Sequence, residues 1–189
     1  MTGLYFGSFN PIHIGHLAIA NYFLEFADLK ELWFVVSPQN PLKQKSSLLP
    51  DYQRLELVNR ALRDYPRFRA SSIEFNLPKP SYTIDTLAYL NDKYPKKEFA
   101  LIIGEDNLAS FHKWKNHELI LENNKILVYP RPNCEKNNLA NHKNVTFVDA
   151  PLMEISSSFI RNAVKQGKDI RFFLPEEVWQ YIDEMHFYK

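Results

Sequence analysis

Five short stretches of this sequence are apolar at consecutive positions rather than at alternate ones: Leu4–Gly7 (LYFG), Leu32–Ser37 (LWFVVS), Phe99–Gly104 (FALIIG), Lys125–Pro130 (KILVYP) and Val145–Ala150 (VTFVDA). They are rich in aromatic and β-branched residues and are closed by Gly, Pro or Asp. A strand with one wet face alternates polar with apolar, so these runs suit strands covered on both faces of a parallel sheet. Amphipathic segments lie between them. In PDYQRLELVNRALRDY, Leu55, Val58 and Leu62 fall three and four apart on one helical face, with Pro50 and Asp51 at its start. SYTIDTLAYLNDKY offers Thr83 as an N-cap, followed by Ile84, Leu87 and Ala88. HLAIANYFLEFA supplies a first helix from about Gly15, and IRFFLPEEVWQYIDEM a last one from Pro175. Strand alternating with helix predicts an α/β fold: a doubly wound, mostly parallel sheet with helices on both faces. Ligands of such sheets bind at the carboxyl ends of the strands, where strand order reverses. The polar stretch Arg131–Asn144 reads as a surface loop with a helical turn, and Trp33 and Trp179 read as core residues.

At 189 residues and 45% hydrophobic, the chain suits one core, so a single domain over 1–189 is expected. With 23 basic and 22 acidic side chains its formal charge is +1, which gives no general attraction to nucleic acid or to a membrane surface. The lone cysteine, Cys134, excludes a disulfide framework and a cysteine zinc site, and fits a reducing, cytoplasmic location. No run approaches the roughly 20 apolar residues of a membrane span, and the start of the chain lacks the basic and apolar regions of a leader. Oligomeric state stays open; a homo-oligomer is compatible with everything above.

Only five glycines occur, and two of them frame GSFNPIHIGH, Gly7 to His16. Neither GxxxxGK[ST] nor GxGxxG is present, so two common phosphate-binding loops are excluded. Yet Gly7 and Ser8 follow the first strand and His16 opens a helix, whose N-terminus offers unpaired N–H groups and a positive dipole end to an anion. Gly15 permits close approach to the backbone. His13 and His16, three apart at a helix start, can face the same side and donate hydrogen bonds to phosphate oxygens. A zinc site fits less well, because the helical histidine pair of zinc enzymes is spaced four apart and no third ligand is evident. Far downstream, ISSSFIR (Ile155 to Arg161) places Ser156 as an N-cap, with Arg161 a little over one turn on.

Together these stretches resemble the nucleotidyltransferase superfamily, whose shared signature is HxGH and whose second motif has the form ISxTxxR. Between them, SYTIDTL resembles SYTxxTL, LIIGEDNLASFHKW resembles (F/I)IIGxDxLxxxxxW, and YPRP resembles RxP, blocks of the bacterial nicotinate-nucleotide adenylyltransferases. The resemblance runs over almost the whole length. It implies that His13, His16 and Arg161 act in catalysis and that Gly7, Ser8, Phe9, Gly15, Ser156 and Ser158 hold ATP. It further implies that Asn10, Lys43, Thr83, Gly104, Asp106, Trp114 and Arg131 shape the nicotinate mononucleotide pocket. Trp114 would offer its face to the pyridine ring, and Asp106 would accept from ribose hydroxyls. Mg²⁺ would be the cofactor, carried by ATP phosphates, with no metal ligands on the protein.

The sequence departs from the family at Phe6, which stands for the first glycine of a pair, at Asn10, which stands for Asp, and at Leu42, which replaces a histidine beside Lys43. The same end motifs also occur in phosphopantetheine adenylyltransferases, and a non-catalytic nucleotide-binding module could share the fold. The tryptophan-bearing block and SYT weigh against the former, and the full set His13, His16 and Arg161 against the latter. Preference for the acid over the amide mononucleotide follows from the resemblance alone.

Overall fold

The computed structural model describes residues 1–38, 48–132, 134 and 138–189. Within them β1 (Thr2–Gly7), β2 (Glu31–Val36), β3 (Phe68–Ser71), β4 (Phe99–Gly104), β5 (Lys125–Tyr129) and β6 (Val145–Phe147) form one sheet in the order β3-β2-β1-β4-β5-β6. Every neighbouring pair is parallel. The chain therefore winds outward from β1 to β3, returns to β4 beside β1, and winds outward again. Pairing of β1 with β4 stops at Tyr5 and Ile102. Beyond it Phe6 and Gly7 pair only toward β2, while Ile103 and Gly104 pair only toward β5. A crevice opens between them, at the point where strand order reverses.

Consecutive strand residues feed opposite cores, which is why the runs do not alternate in polarity. Leu4, Trp33, Val35, Leu101, Ile103, Ile126 and Val128 pack on one face. Tyr5, Phe34, Val36, Ile102, Leu127 and Tyr129 pack on the other. The first face is covered by α3 (Thr83–Lys93), α4 (Glu105–Ala109) and α5 (His117–Asn123); the second by α1 (Ile14–Phe26), α2 (Asp51–Leu62), α6 (Ser157–Lys165) and α7 (Glu176–Glu184). Trp33 is a core residue at 1% exposure, and Trp179 packs half-buried against the core, as expected.

Several sequence expectations change. Strand β3, with the sequence FRAS, was not expected; it pairs at the sheet edge with β2 and buries only Phe68 and Ser71. The expected run Val145–Ala150 shortens to Val145–Phe147, and β5 ends before Pro130, which has no N–H to give a ladder. Tyr82 rather than Thr83 is the N-cap of α3, because Thr83 already lies in the first helical turn; the N–H groups of Asp85 and Thr86 bond to the Tyr82 carbonyl. The buried face of α3 is Thr86, Leu87 and Leu90, with Ala88 turned out to solvent. A 3-10 turn does form at Asn138–Asn141 within the polar stretch.

The face of α2 is also shifted, to Arg54, Leu57, Val58, Ala61 and Leu62, with Leu55 only half-buried. That is helical spacing with an arginine at its first position. The Arg54 side chain is fully buried. It donates to the carbonyls of Ser8 at 2.6 Å, Ser37 at 2.8 Å, Leu49 at 2.9 Å and Pro38 at 3.1 Å, and pairs with Asp51 at 2.7 Å. One guanidinium thus joins the carboxyl ends of β1 and β2 to the start of α2. Arg54→Leu is expected to cost about 3–5 kcal/mol, since it leaves four carbonyls without their donor and Asp51 with Lys79 as its remaining ion-pair partner. Urea denaturation of the two proteins checks this, and Arg54→Lys, which lacks the fork, should restore only part of the loss.

Candidate active site

The crevice leads into a cavity of about 750 Å³, in the range of small-ligand sites. Its lining includes Gly7, Ser8, Phe9, Asn10, His13, Gly15 and His16 from the β1–α1 connection, and Ser156, Ser158 and Arg161 from α6 and its cap. Thr83, Gly104, Asp106, Trp114 and Arg131 line it as well. Every site residue named from the sequence borders this one cavity except Lys43, which lies outside the described residues.

His13 caps α1 in extended backbone, and His16 stands at the third helical position. The Nδ1 of His16 accepts the backbone N–H of His13 at 3.2 Å, the reciprocal half of a capping box. Accepting at Nδ1 leaves the proton of the neutral ring on Nε2. The two imidazoles lie over each other, centroids 3.7 Å apart and 31° from parallel. Gly15 makes room for this: a Cβ there would meet His13 Nδ1 at 3.0 Å. His13 is 4% exposed, and its Nδ1 has no hydrogen-bond partner among the described residues. Burial, and then the charge of Arg131, pushes the His13 pKa from its usual 6.5 down to about 4. Phe9, backbone φ 44°, packs into the core at 2% exposure and supports His16 edge-on at 5.2 Å.

The Asn10–Pro11 turn is where the two motifs meet. Arg161 Nη1 donates to the Asn10 carbonyl at 2.8 Å, and the Ser157 hydroxyl donates to the Pro11 carbonyl at 2.9 Å. Ser156 caps α6, accepting from Phe159 N–H at 3.2 Å, and Arg161 Nη2 bonds Ser158 Oγ at 3.1 Å. Asn10 is 3% exposed, and its Oδ1 is taken by Leu49 N–H at 3.2 Å and by the Tyr188 hydroxyl at 2.8 Å. That oxygen faces protein donors, so Asn10 acts here as a tie between loops.

At the other end, Gly104 closes β4 and Asp106 follows it in α4, with the Asp106 carboxylate 3.7 Å from Arg131 Nε. A Cβ on Gly104 would press on the Tyr129 phenol at 3.0 Å. Arg131 itself is held by the Met153 carbonyl and the Tyr129 hydroxyl, both at 3.0 Å, and its backbone N–H bonds Glu105 at 3.2 Å. Trp114 is half-buried, 5.2 Å from Phe111 between ring centres, and borders the cavity. Ser81, Tyr82 and Thr83 bring the N-terminus of α3 to the same end, with Lys113 and Lys115 beside it.

Sequence reasoning missed four contributors. Arg54, fully buried, was not singled out. Tyr5, at 4% exposure, and Tyr129 line the floor, 6.1 Å apart between ring centres. Glu74, at 2% exposure, accepts from the hydroxyls of Thr86 at 2.8 Å and Ser81 at 3.2 Å, which pins the start of α3; burial raises its pKa, an effect these hydroxyls offset in part. Among them only the SYTIDT spacing gave a signal, since hydroxyls at Ser81 and Thr86 need an acceptor.

The state of His13 carries a stability consequence. Below pH 6.5 the unfolded chain binds a proton that the folded chain refuses until about pH 4. The stabilisation from a neutral His13 is therefore complete above about pH 6.5 and is lost as pH falls toward 4. Between pH 7 and 5 this residue should account for about 2 kcal/mol of lost stability. Urea titrations of wild type and His13→Gln at both pH values should show a shallower loss in the variant by about that amount.

Comparison with known proteins agrees with this geometry. The cytidylyltransferase-like family matches residues 4–163. A protein of Flavobacterium johnsoniae named "probable nicotinate-nucleotide adenylyltransferase" is 57% identical over 99% of this chain and 98% of its own length. One of the same name from Flavobacterium psychrophilum is 58% identical over the same shares. Among solved structures, the Plasmodium falciparum nicotinic acid mononucleotide adenylyltransferase complexed with NaAD shares the fold at a TM-score of 0.83. It is 20% identical, over 99% of this chain and 96% of that one. With Gly7–His16 and Ile155–Arg161 meeting at one turn below such a cavity, the chain belongs to the cytidylyltransferase-like family and, within it, to the nicotinate-nucleotide adenylyltransferases.

Proposed function

We propose that this cavity transfers the adenylyl group of ATP to nicotinate mononucleotide, giving deamido-NAD and pyrophosphate in NAD biosynthesis. The observation that carries the reading is the meeting of residues 146 and 151 positions apart at the Asn10–Pro11 turn, which sets two histidines, a helix N-terminus and a guanidinium around one space. The 5′-phosphate of the mononucleotide attacks the α-phosphorus of ATP, and pyrophosphate leaves. That nucleophile is already ionised at neutral pH and needs no general base, so catalysis is positioning and charge neutralisation. His13 and His16 donate to oxygens of the α- and β-phosphates. Arg161 commits two N–H groups to Asn10 and Ser158, which fixes its plane toward the leaving pyrophosphate. Ser8, Gly15, Ser156 and Ser158 supply the further hydroxyl and backbone donors for ATP, with Gly7 leaving room for the Phe9 ring, which a Cβ there would meet at 2.8 Å.

The donor set suits phosphates rather than a bare cation: imidazole, guanidinium, hydroxyl and helix N–H. Among the described residues no three His, Cys, Asp or Glu side chains converge. Mg²⁺ would arrive on the triphosphate, held by its oxygens, and when bound would neutralise charge on them. Cys134 takes no part: burial first, and then Glu105 and Asp106, raise its thiol pKa, the opposite of an activated nucleophile. A reducing, cytoplasmic location fits this lone thiol. Among the described residues no helix is long and apolar enough to cross a membrane.

For the acceptor, Trp114 offers an aromatic face and Asp106, beside Arg131, meets the ribose. The N-terminus of α3 and the ammonium group of Lys113 favour an anionic ring substituent over an amide, with Lys115 held by Asp85 at 3.0 Å. The test is pyrophosphate release from ATP and Mg²⁺ with nicotinate mononucleotide, nicotinamide mononucleotide and 4′-phosphopantetheine in parallel. We expect kcat/KM for the acid to exceed that for the amide by roughly 10²-fold, and no turnover of the third. Equal values for acid and amide reject the acid preference; no product from either rejects adenylyl transfer. In the same assay His16→Ala should lower kcat by roughly 10²-fold or more. Trp114→Ala should weaken the mononucleotide roughly several-fold and ATP much less.

A further inference from the structure

After α7 the chain turns back on itself. His186 and Tyr188 take left-handed backbone, φ 54° and 65°, an uncommon conformation for side chains of this bulk. Phe187 between them is buried at 7% exposure, edge-on to Tyr181 at 5.4 Å, with its N–H on the Ile182 carbonyl at 3.0 Å. This reversal carries Tyr188 inward, where its hydroxyl donates to Asn10 Oδ1 at 2.8 Å. Backbone held in such a conformation by its surroundings is a pointer to function.

Tyr188 does not reach the cavity lining, but Asn10, which accepts its hydroxyl, does. Asn10 Oδ1 takes the Tyr188 hydroxyl and Leu49 N–H, while the Asn10 carbonyl takes Arg161. Two groups attached to one residue are thereby fixed against each other. The phenol lies within electrostatic reach of both Arg161 and Arg54, and burial raises its pKa, so it is a neutral donor across the working pH range. The loop before α2, the first motif, the second motif and the carboxyl-terminal segment all converge on this residue.

We propose that Tyr188 is a positioning residue for the ATP half of the site: its hydroxyl fixes Asn10, and through the Asn10 carbonyl it sets the direction of the Arg161 guanidinium. The proposal rests on the adenylyl-transfer reading. A tail serving stability alone would affect both substrates alike, or neither. A latch on Arg161 acts on ATP and the leaving pyrophosphate and spares the mononucleotide.

The test uses the full chain with Tyr188→Phe, which keeps the ring and removes only the hydroxyl. The thermal midpoint should move by roughly 5 °C or less. We expect kcat to fall roughly 10-fold and KM for ATP to rise several-fold, with KM for the mononucleotide changed by less than about twofold. In an Arg161→Lys background the same substitution should add less than about twofold, because both changes remove one interaction. Unchanged kcat and ATP KM, equal rises in both KM values, or full additivity with Arg161→Lys would overturn the latch. Should Tyr188→Phe fail to fold, Tyr188→Met, which keeps bulk without a hydroxyl, is read in its place: a several-fold rise in the ATP KM alone supports the latch, and equal rises in both KM values or none overturn it. If the wild-type protein itself makes no product, the adenylyl-transfer reading fails, and equilibrium binding of MgATP to wild type and variant then decides the latch: several-fold weaker binding supports it, equal binding overturns it.

Discussion

A guanidinium with no exposure to solvent holds the site together. The sheet supplies a crevice between β1 and β4, but the edges of that crevice are irregular chain whose carbonyls point inward and need donors. Arg54 meets the carbonyls of Ser8, Ser37, Pro38 and Leu49 from one planar group. Burial lowers its pKa and Asp51 opposes that, so the charge is kept by its neighbours. A buried pair is weak support for stability in general, because apolar residues of equal volume often do better. Here apolar residues would leave four carbonyls unpaired, and the same atoms would then not fix where the β1–α1 connection begins.

That connection in turn fixes the chemistry. Once Ser8 is anchored, Phe9 drops its ring between Tyr5 and Phe34, and the chain reaches His13 with Asn10 and Pro11 presenting their carbonyls to α6. Arg161 is thus anchored on the carbonyl of the tenth residue of the chain, whose side chain the next-to-last residue, Tyr188, holds in turn. Each motif is local in sequence, yet neither is complete without the other. The carboxyl ends of the strands are where such distant segments can meet, because the strands are rigid and the loops they launch are short.

Much of this was legible in the sequence, and the gaps have physical reasons. Runs apolar at every position announced strands covered on both faces, and β1, β2, β4 and β5 follow them within a residue or two. The edge strand β3 was not visible because FRAS carries Arg69 across the Trp33 ring at 4.5 Å, a contact that a polarity pattern cannot express. The face of α2 was misread for a related reason: an arginine in the first position of a buried stripe looks like solvated surface until its carbonyl partners are known. Glu74 and Tyr188 fall in the same class, since each is explained only by groups distant in the chain or hidden in a loop. The histidines, Gly15, Ser156 and Arg161 were legible because their chemistry is concentrated in short segments at helix starts.

The electrostatics of the cavity follow from how its charges are distributed. Three acidic groups at or beside it are engaged, Glu74 by the hydroxyls of Ser81 and Thr86, Asp106 by Arg131 and Glu105 by the Arg131 backbone, while Glu154 on the lining is exposed. Carbonyls and hydroxyls hold the direction of the two arginines without cancelling charge, while Asp106, 3.7 Å from Arg131 Nε, offsets part of the Arg131 charge. Arg161 rests on Asn10 and Ser158, Arg131 on Met153 and Tyr129, and α1 and α6 both point their N-termini inward. His13 is neutral in this field because it is buried and stands near Arg131. In the proposed reaction a polyphosphate would reverse the second cause, so its approach would favour the protonated ring and strengthen donation to the phosphate oxygens. That attraction would grow with the negative charge it meets. It would therefore be stronger where charge accumulates during adenylyl transfer than on the bound substrates, and only such a difference lowers a barrier to reaction.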